Sequence, residues 1–226
     1  MVVKIVYLGV RGLAEPARLC LFIGGIDFED EIVNYEEIQA RRGELPFGQV
    51  PLLMVDGEVH AQSAAILRWA GKQAQLWPEE WDLRIDAVEA ALMDVRFAMR
   101  PQWYGCALGR SPSDGSPLVP LSVDQKKEVE ELLNAMVLPA RFKMLEKFFL
   151  VCGGDYFCGD RLTVCDLSWY NMCVGIVEGW YCPGVRPTVL ATCPKLVDLA
   201  KRVHSHPRVQ EWNANHGYPT LWQDYE

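Results

Sequence analysis

The segment from Val50 to Ser63 combines residue types that could bind one end of an extended peptide. Pro51 opens an apolar run of strand character, Asp56-Gly57 is typical of a two-residue hairpin turn, and Ser63 can cap a following helix. Val50 would keep free backbone groups at a strand edge, while the first-turn amides at Ser63 would point outward with a partial positive charge. The sequence therefore predicts a peptide-sized anion site, with a peptide paired to the edge and its carboxylate on the helix start.

The elements that would position this segment form a small α/β unit. Apolar residues recur at helical spacing over residues 14–22, and Gly24-Gly25 can terminate that helix. Strand-like segments lie on both sides of it, and residues 35–42 form either a short polar helix or an irregular turn ahead of the hairpin. The predicted strands cover residues 3–8, 27–33, 52–55 and 58–60, and the other predicted helices cover residues 14–22 and the segment after Ser63. If the first helix crosses over, the first two strands are parallel, and residues 1–76 form a βαβαββα domain.

Beyond a linker at residues 74–82, helical periodicity replaces the strand signals. The predicted helices cover residues 81–104, 123–150, 167–178, 194–204 and 207–213. Pro139 would bend or interrupt the second of them, and residues 105–120 are predicted to form a solvated loop or insertion. The run Thr163-Val164-Cys165-Asp166 has the pattern of a capping box ahead of a helix that is apolar on most faces. Residues 82–226 should therefore form an all-helical domain.

The composition narrows the possible partners. The chain has 226 residues and a net charge of −8, which argues against nucleic acid or an anionic membrane as the main partner. No apolar run approaches the roughly 18 residues of a membrane span, and the N-terminus lacks a signal-peptide pattern. Eight cysteines occur without CxxC or metal-type spacing. Reduced thiols, no metal requirement and a cytoplasmic location are the expectations.

Four groups of residues are each weak signals alone, but together, in this order and spacing, they are a strong indication of a protein family. They are Tyr7 with Arg11-Gly12 and Ala14-Glu15, then Leu45-Pro46-Phe47-Gly48-Gln49-Val50-Pro51, then Gln62-Ser63, and finally Thr163-Val164-Cys165-Asp166. Over nearly the whole chain the sequence resembles a cytosolic glutathione transferase, and the sigma class, which includes hematopoietic prostaglandin D synthase, is most similar. The resemblance implies a thioredoxin-like N-terminal domain, a helical C-terminal domain and a homodimer.

Tyr7 is the predicted catalytic residue. It falls at the end of the first strand, where its hydroxyl could point into a cleft beside the hairpin, although an aromatic there is more often simply packed. The resemblance implies that this phenol donates a hydrogen bond to the glutathione thiolate. A free thiol with a pKa of about 8.5 is mostly protonated at neutral pH. A charge-assisted hydrogen bond contributes about 1.5–3 kcal/mol, enough to lower the thiol pKa by about one to two units.

The resemblance also implies how glutathione, the co-substrate, would bind. The backbone at Val50, before a cis peptide bond to Pro51, would pair with its cysteinyl part, and Gln62 and Ser63 would hold its γ-glutamyl carboxylate. A plain helix cap is the alternative role for Ser63 and is compatible with anion binding. The remaining predicted contacts are Gln49, Arg42 near the glycyl carboxylate, and Asp94, which would reach the amino group across the dimer interface. An ordinary exposed charge is the alternative for Arg42 and for Asp94.

A small apolar electrophile is the second predicted ligand. The residues that the resemblance assigns to its pocket are Val10, Leu13, Met99, Trp103 and Tyr104. Two positions depart from the family pattern. Leu13 stands where sigma-class proteins often have an arginine that supports the tyrosine, and Ile38 replaces a tryptophan along glutathione. Both departures should affect rate and affinity more than fold.

The leading hypothesis is a dimeric glutathione transferase in which Tyr7 stabilises the thiolate that attacks an electrophilic carbon. The same thiolate could serve isomerase or peroxidase reactions, and the sequence does not choose among them. Thiol–disulfide exchange would need a cysteine at the start of the first helix, and the nearest, Cys20, lies well inside it. A non-catalytic binding or structural protein of the same fold, comparable to the lens crystallins related to the sigma class, is the main alternative.

Overall fold

The structure, a computed structural model, describes residues 1–111 and 114–218 and contains a mixed four-stranded sheet. Its strands are β1 (Val3–Leu8), β2 (Glu29–Val33), β3 (Leu52–Val55) and β4 (Glu58–Ala61). They lie in the order β2-β1-β3-β4. β1 and β2 are parallel and the other two pairs are antiparallel. The predicted crossover and hairpin are therefore both confirmed.

Local sequence signals explain this sheet. Asp56 and Gly57 have φ values of 49° and 90°, and two consecutive positive φ angles are what a type I′ hairpin turn requires. The first helix, α1 (Glu15–Ile23), ends at Gly24 and returns the chain to form β2 beside β1. A crossover of this kind is needed because parallel neighbours cannot be joined by a tight turn.

Nine α-helices occur among the described residues. After α1 they are α2 (Tyr35–Ala40), α3 (Ser63–Gln73), α4 (Asp82–Arg100), α5 (Val123–Leu132), α6 (Leu138–Cys152), α7 (Val164–Val177), α8 (Pro194–His204) and α9 (Pro207–Asn215). Short 3₁₀ turns lie at Arg42–Glu44, Pro46–Gly48, Glu79–Trp81 and Pro187–Thr192. The predicted interruption of the second long helix is confirmed, since a π-helical turn at Leu133–Val137 separates α5 from α6. It lies just before Pro139, which cannot donate the next helical hydrogen bond.

The predicted end of the first long helix of the second domain, at residue 104, is wrong. A π-helical segment, Pro101–Leu108, continues α4 for two further turns, and its longer hydrogen-bond spacing accommodates the proline at its start. The helix ends at Gly109, whose φ of 62° is left-handed. The predicted loop therefore begins after Leu108, and two of its residues, Pro112 and Ser113, lie outside the described residues, as do residues 219–226 of the predicted helical domain.

One hydrophobic core connects the sheet to the helices, and α7 lies in its middle. Residues 164–176 are all buried, as the apolar composition of this segment predicts. Its first turn is bonded to the end of the N-terminal part, because the Val164 amide donates to the Leu76 carbonyl at 3.1 Å. Gly71 of α3 packs so closely there that a Cβ on it would lie 2.4 Å from Val164. Within the described residues, no helix has the length and apolar character needed to cross a membrane.

Candidate functional site

One end of the sheet brings together three of the predicted site residues. Val6 of β1 is paired with Leu52 of β3, and Leu52 is paired with Ala61 of β4. One step further along each strand, Tyr7, Pro51 and Gln62 therefore fall in a single row. Because neighbouring strands lie about 4.8 Å apart, this row spans about 10 Å. That span suits an extended tripeptide, whose residues advance about 3.5 Å each.

The backbone before β3 has the predicted conformation. The Val50–Pro51 peptide bond is cis, as the resemblance implies. The paired part of β3 begins at Leu52, so Val50 lies just outside both strand ladders. Its polar groups are consequently in the right place to pair with another extended chain, although β3 itself is an interior strand of the sheet.

Tyr7 is held by the loop that follows its own strand. Its side chain is 7% exposed, and the Leu13 amide donates to its hydroxyl oxygen at 3.0 Å. Gly12 makes this approach possible, because a Cβ at that position would lie 2.5 Å from the hydroxyl and its φ is +49°. The hydroxyl accepts from the backbone and keeps its own proton available for donation to a ligand.

Electrostatics keep that proton in place at neutral pH. Burial raises the pKa of Tyr7 above its ordinary value, while the Leu13 amide and the nearby Arg96 and Arg18 cations act in the opposite direction. The net shift is upward, so the phenol is a neutral hydrogen-bond donor. This is the protonation state that a group stabilising a thiolate needs.

The start of α3 is free of side-chain caps. Gln62 is the cap residue, with a left-handed φ of 74°, and it makes no capping hydrogen bond. Ser63 is the first helical residue, so its predicted role as the cap is wrong. The first-turn amides therefore have no side-chain oxygen over them and can receive an anion. Backbone strain of the kind seen at Gln62 often accompanies functional sites.

Arg42 and Gln49 lie on the turns that lead to Pro51. Arg42 is half-buried, and Gln49 is exposed at the end of the second turn. The loop after α4 packs beside this region, since a Cβ on Gly115 would lie 3.3 Å from the Tyr35 hydroxyl and 3.7 Å from Arg42 Nη1. The loop thus borders the wall predicted to hold the glycyl end of glutathione.

Asp94 lies apart from this row of residues, on the exposed side of α4. Its carboxylate is 3.9 Å from Arg141 Nη1 of α6, across a groove of about 300 Å³. The groove is lined by Ala87, Val88, Ala91, Asp94, Val95, Arg141, Met144, Leu145 and Phe148. Within one chain Asp94 lies outside the row formed by Tyr7, Pro51 and Gln62, and its contact with glutathione across an interface stays a prediction.

The predicted electrophile residues differ in exposure. Val10 and Leu13 are 50% and 36% exposed, and Trp103 and Tyr104 are half-buried in the π-helical segment. Met99 is 3% exposed and belongs to the core. The accessible apolar surface near Tyr7 therefore comes from the loop after β1 more than from Met99.

Sequence reasoning missed two cations around Tyr7. Arg18 of α1 is buried and donates to the carbonyl oxygens of Leu8 and Val10 at 3.3 and 2.8 Å, which fixes the loop after β1. Arg96 of α4 donates to the hydroxyl of Tyr181. Arg18 stands among the apolar residues Ala17, Leu19 and Leu21 of α1, and this was a usable signal. Arg96 had none, because its partner is 85 residues away.

Cys20 does not provide a second reactive centre. Cys20 is fully buried in α1, and burial strongly raises its pKa, so it is a protonated thiol without access to a substrate. All eight cysteines are free. Within the described residues, no cluster of three or more histidine, cysteine or acidic side chains could hold a metal ion.

Comparisons with known proteins agree with this geometry. The sequence profile of the family "Glutathione S-transferase, C-terminal domain" matches residues 116–216. Glutathione S-transferase 1 of Ascaris suum is 31% identical, with 93% of this chain and 95% of the relative covered. The glutathione S-transferase of Ascaris lumbricoides superposes with a TM-score of 0.78 and 28% identity over 96% of this chain and 98% of the other. Prostaglandin synthase D of Nilaparvata lugens superposes with a TM-score of 0.78 and 25% identity over 95% and 98%. The predicted fold, a thioredoxin-like domain followed by a helical domain, is confirmed.

Proposed function

The chain belongs to the glutathione S-transferase family, and from that premise we propose that it conjugates glutathione to small apolar electrophiles in a cytoplasmic detoxification role. Tyr7 donates its phenolic proton in a hydrogen bond to the glutathione sulfur. The resulting thiolate attacks an electrophilic carbon of the second substrate. The motifs around Tyr7 support a place in the sigma class as part of this proposal.

The observation that carries this proposal is the setting of the Tyr7 hydroxyl. It is buried and protonated, and the Leu13 amide occupies its oxygen while its proton stays available. A donor of this kind stabilises the charged sulfur by about 1.5–3 kcal/mol. Thiolate is therefore formed at a pH where free glutathione is mostly a thiol.

Glutathione would lie along the row of residues at the end of the sheet. Its cysteinyl backbone pairs with Val50 ahead of cis-Pro51, and its γ-glutamyl carboxylate rests on the uncapped start of α3 at Gln62 and Ser63. Gln49 and Arg42 contact the other end. Metal is not required, since the hydrogen bond to Tyr7 supplies the activation.

We assign this binding function to residues 1–76 and the electrophile pocket mainly to residues 82–226. Val10 and Leu13 of the first part face the second substrate together with Trp103 and Tyr104, and Met99 supports them from the core. This lining is apolar, so the pocket suits an apolar electrophile. The proposal includes isomerase or peroxidase reactions of the same thiolate as secondary activities of the protein.

A homodimer would complete the site. The groove between α4 and α6 is apolar, apart from Asp94 and Arg141. The same chain exposes 74% of Phe47 on the turn before β3, and a second copy offers this ring as an occupant. Two-fold assembly would use both surfaces twice and would carry Asp94 towards the partner's glutathione.

The test compares the wild type with Tyr7→Phe in the conjugation of glutathione to a chloronitrobenzene, with glutathione binding measured by calorimetry. We expect at least about a tenfold loss of turnover with binding retained, because loss of about 1.4 kcal/mol of transition-state stabilisation changes the rate tenfold. Tyr156→Phe, which removes a hydroxyl from a half-buried tyrosine outside the proposed site, is the matched control.

Other outcomes separate the alternatives. Tight glutathione binding without turnover of any electrophile would favour the non-catalytic protein of the same fold. An absence of glutathione binding would reject the assignment altogether. Equal turnover in the wild type and Tyr7→Phe would reject the tyrosine mechanism.

A further inference from the structure

The peptide group between Gly12 and Leu13 lies directly beside the Tyr7 hydroxyl. Its N–H, which belongs to Leu13, donates to the phenol oxygen at 3.0 Å. In a planar trans peptide the carbonyl points in the opposite direction to the N–H, so the Gly12 oxygen faces away from Tyr7. Whatever holds this carbonyl therefore determines where the Leu13 amide points.

The Gly12 carbonyl is held by a side chain of the core helix. Asn171 of α7 donates to it through Nδ2 at 2.8 Å. Asn171 is completely buried, and it is 159 positions away from Gly12 in the sequence. The asparagine, the peptide group and Tyr7 thus form a continuous chain of two hydrogen bonds that connects α7 with the phenol.

Gly12 is the part of the loop that most needs such support. Arg18 of α1 donates to two carbonyl oxygens in the first half of the loop, whereas Gly12 lies beyond them with a left-handed φ of +49°. Glycine has more backbone freedom than any other residue, so its peptide group requires an external bond to keep one orientation. Asn171 supplies that bond.

Asn171 is also a costly residue at its position. It stands in a helix whose residues 164–176 are all buried, and its Oδ1 has no hydrogen-bond partner among the described residues. A buried amide oxygen without a partner costs folding free energy that an apolar side chain of similar size would not cost. Fold stability alone therefore does not account for an asparagine here, whereas the bond from Nδ2 to the loop beside Tyr7 does.

We propose that Asn171 is a positioning residue for Tyr7, because it holds the Gly12–Leu13 peptide group in the orientation that donates to the phenol oxygen. The inference rests on the proposed function, since it concerns the hydrogen bond that Tyr7 would give to the glutathione sulfur. Hydrogen bonds in a chain polarise one another, so each donor strengthens the next. Burial raises the pKa of Tyr7 and the Leu13 amide partly offsets this rise, which is the effect of a donor that makes the phenol more acidic.

Asn171→Leu tests the proposal, because it removes the donor and keeps a branched side chain of similar size. The ionisation of enzyme-bound glutathione is followed by the ultraviolet absorbance of its thiolate. We expect the pKa of the bound thiol to rise by about half a unit, a roughly threefold lower ratio of thiolate to thiol, since bonds in a chain strengthen one another by about 10–30%. Glutathione affinity should change little, because Asn171 is assigned no contact with the tripeptide.

Asn134→Leu is the matched control, since Asn134 is another buried asparagine that bonds to the backbone. Its Nδ2 donates to the carbonyl oxygens of Glu130 and Gly184, both at 2.8 Å. Its Oδ1 accepts from the Arg186 amide at 2.7 Å. The same substitution here removes bonds within the helical domain, so it should lower the free energy of unfolding and leave the pKa of the bound thiol at the wild-type value.

A double mutant separates positioning from a general structural effect. Once Tyr7→Phe has removed the hydroxyl, the Leu13 amide has no phenol oxygen to orient. Adding Asn171→Leu to Tyr7→Phe should therefore raise the thiol pKa no further. An equal rise with and without the Tyr7 hydroxyl would overturn the inference.

The outcomes distinguish this inference from the proposed function. A bound thiol pKa that rises in Tyr7→Phe but not in Asn171→Leu would overturn the positioning role alone. A pKa unchanged in Tyr7→Phe, or a wild type that binds no glutathione, would overturn both. If Asn171→Leu does not fold, Asn171→Ala, which removes the same donor without adding bulk, decides, and an unchanged pKa in that variant contradicts the proposal.

Discussion

At the level of single residues, burial decides whether Tyr7, Cys20 and Glu89 carry charge. Tyr7 stays neutral, Cys20 stays protonated, and Glu89 titrates close to neutrality. Glu89 is the informative case because its carboxylate is buried in α4 without a neighbouring cation in hydrogen-bond contact. Its ionisation should therefore cost stability in a measurable pH range.

Glu89→Gln should stabilise the protein increasingly as the pH rises from 4.5 to 7. The folded-state pKa of about 7 lies above the ordinary value of 4.5, so the contribution of Glu89 to stability is complete below pH 4.5 and lost as the pH rises through 7. The difference between the two pKa values corresponds to a change of at most about 3 kcal/mol in the free energy of unfolding. Denaturant unfolding at several pH values measures the difference.

Glu80→Gln is the control for this prediction, since Glu80 is an exposed glutamate just before α4. Its free energy of unfolding should follow that of the wild type across the same pH range. A difference between Glu89→Gln and the wild type that is constant with pH would show that Glu89 is not ionising in this range.

At the level of elements, buried hydrogen bonds fix the start of α7. The Asp166 carboxylate accepts from the amides of Thr163 and Phe157 at 2.7 and 2.9 Å and from the Thr163 hydroxyl at 2.9 Å. All three residues are buried. These bonds fix the direction in which the core helix enters, so they connect a short sequence motif to the packing of the whole helical part.

Asp166→Ala should destabilise the protein by about 3 kcal/mol, because it leaves two buried amides and a hydroxyl without an acceptor. The capping box of α5, in which Ser122 and Gln125 are exposed, offers a comparison. Gln125→Ala should cost about 1 kcal/mol or less, since water can replace the lost bond. Chemical unfolding followed by circular dichroism measures both, and similar costs would contradict the importance of burial.

At the level of the whole molecule, the outer face of α6 exposes apolar side chains to solvent. Met144 and Phe148 are 71% and 40% exposed along the groove opposite α4. Met144→Asp should convert the proposed dimer to a monomer, because a carboxylate would be buried in an apolar interface. It should also weaken glutathione binding if Asp94 acts across that interface. Sedimentation velocity and calorimetry measure the two effects.

Val119→Asp is the matched control, because Val119 is 88% exposed on the loop before α5, outside the groove. It should leave the sedimentation coefficient unchanged. A wild type that sediments as a monomer, or a Met144→Asp variant that remains dimeric, would place the interface elsewhere or exclude it.

The features that depend on short-range signals could be predicted from the sequence. Asp56-Gly57 predicted the hairpin, Gly24 the end of α1, and Pro139 the interruption before α6, because each restricts the backbone locally. The motif at Thr163 and Asp166 predicted the start of α7 for the same reason. The motif resemblance added the cis peptide before Pro51 and agreed with the two domains that periodicity had predicted.

The electrostatics around Tyr7 could not be predicted from the sequence, because they depend on contacts that folding creates between distant residues. Arg96 has the spacing of an ordinary helix charge, and its hydrogen-bond partner, Tyr181, is distant in sequence. The hydrogen bond from the Leu13 amide to Tyr7 could not be predicted either, because the type of a residue does not indicate which acceptor its backbone amide will meet. Charge and hydrogen bonding at a buried site depend on the dielectric and on partners that folding brings together, and no local pattern encodes them.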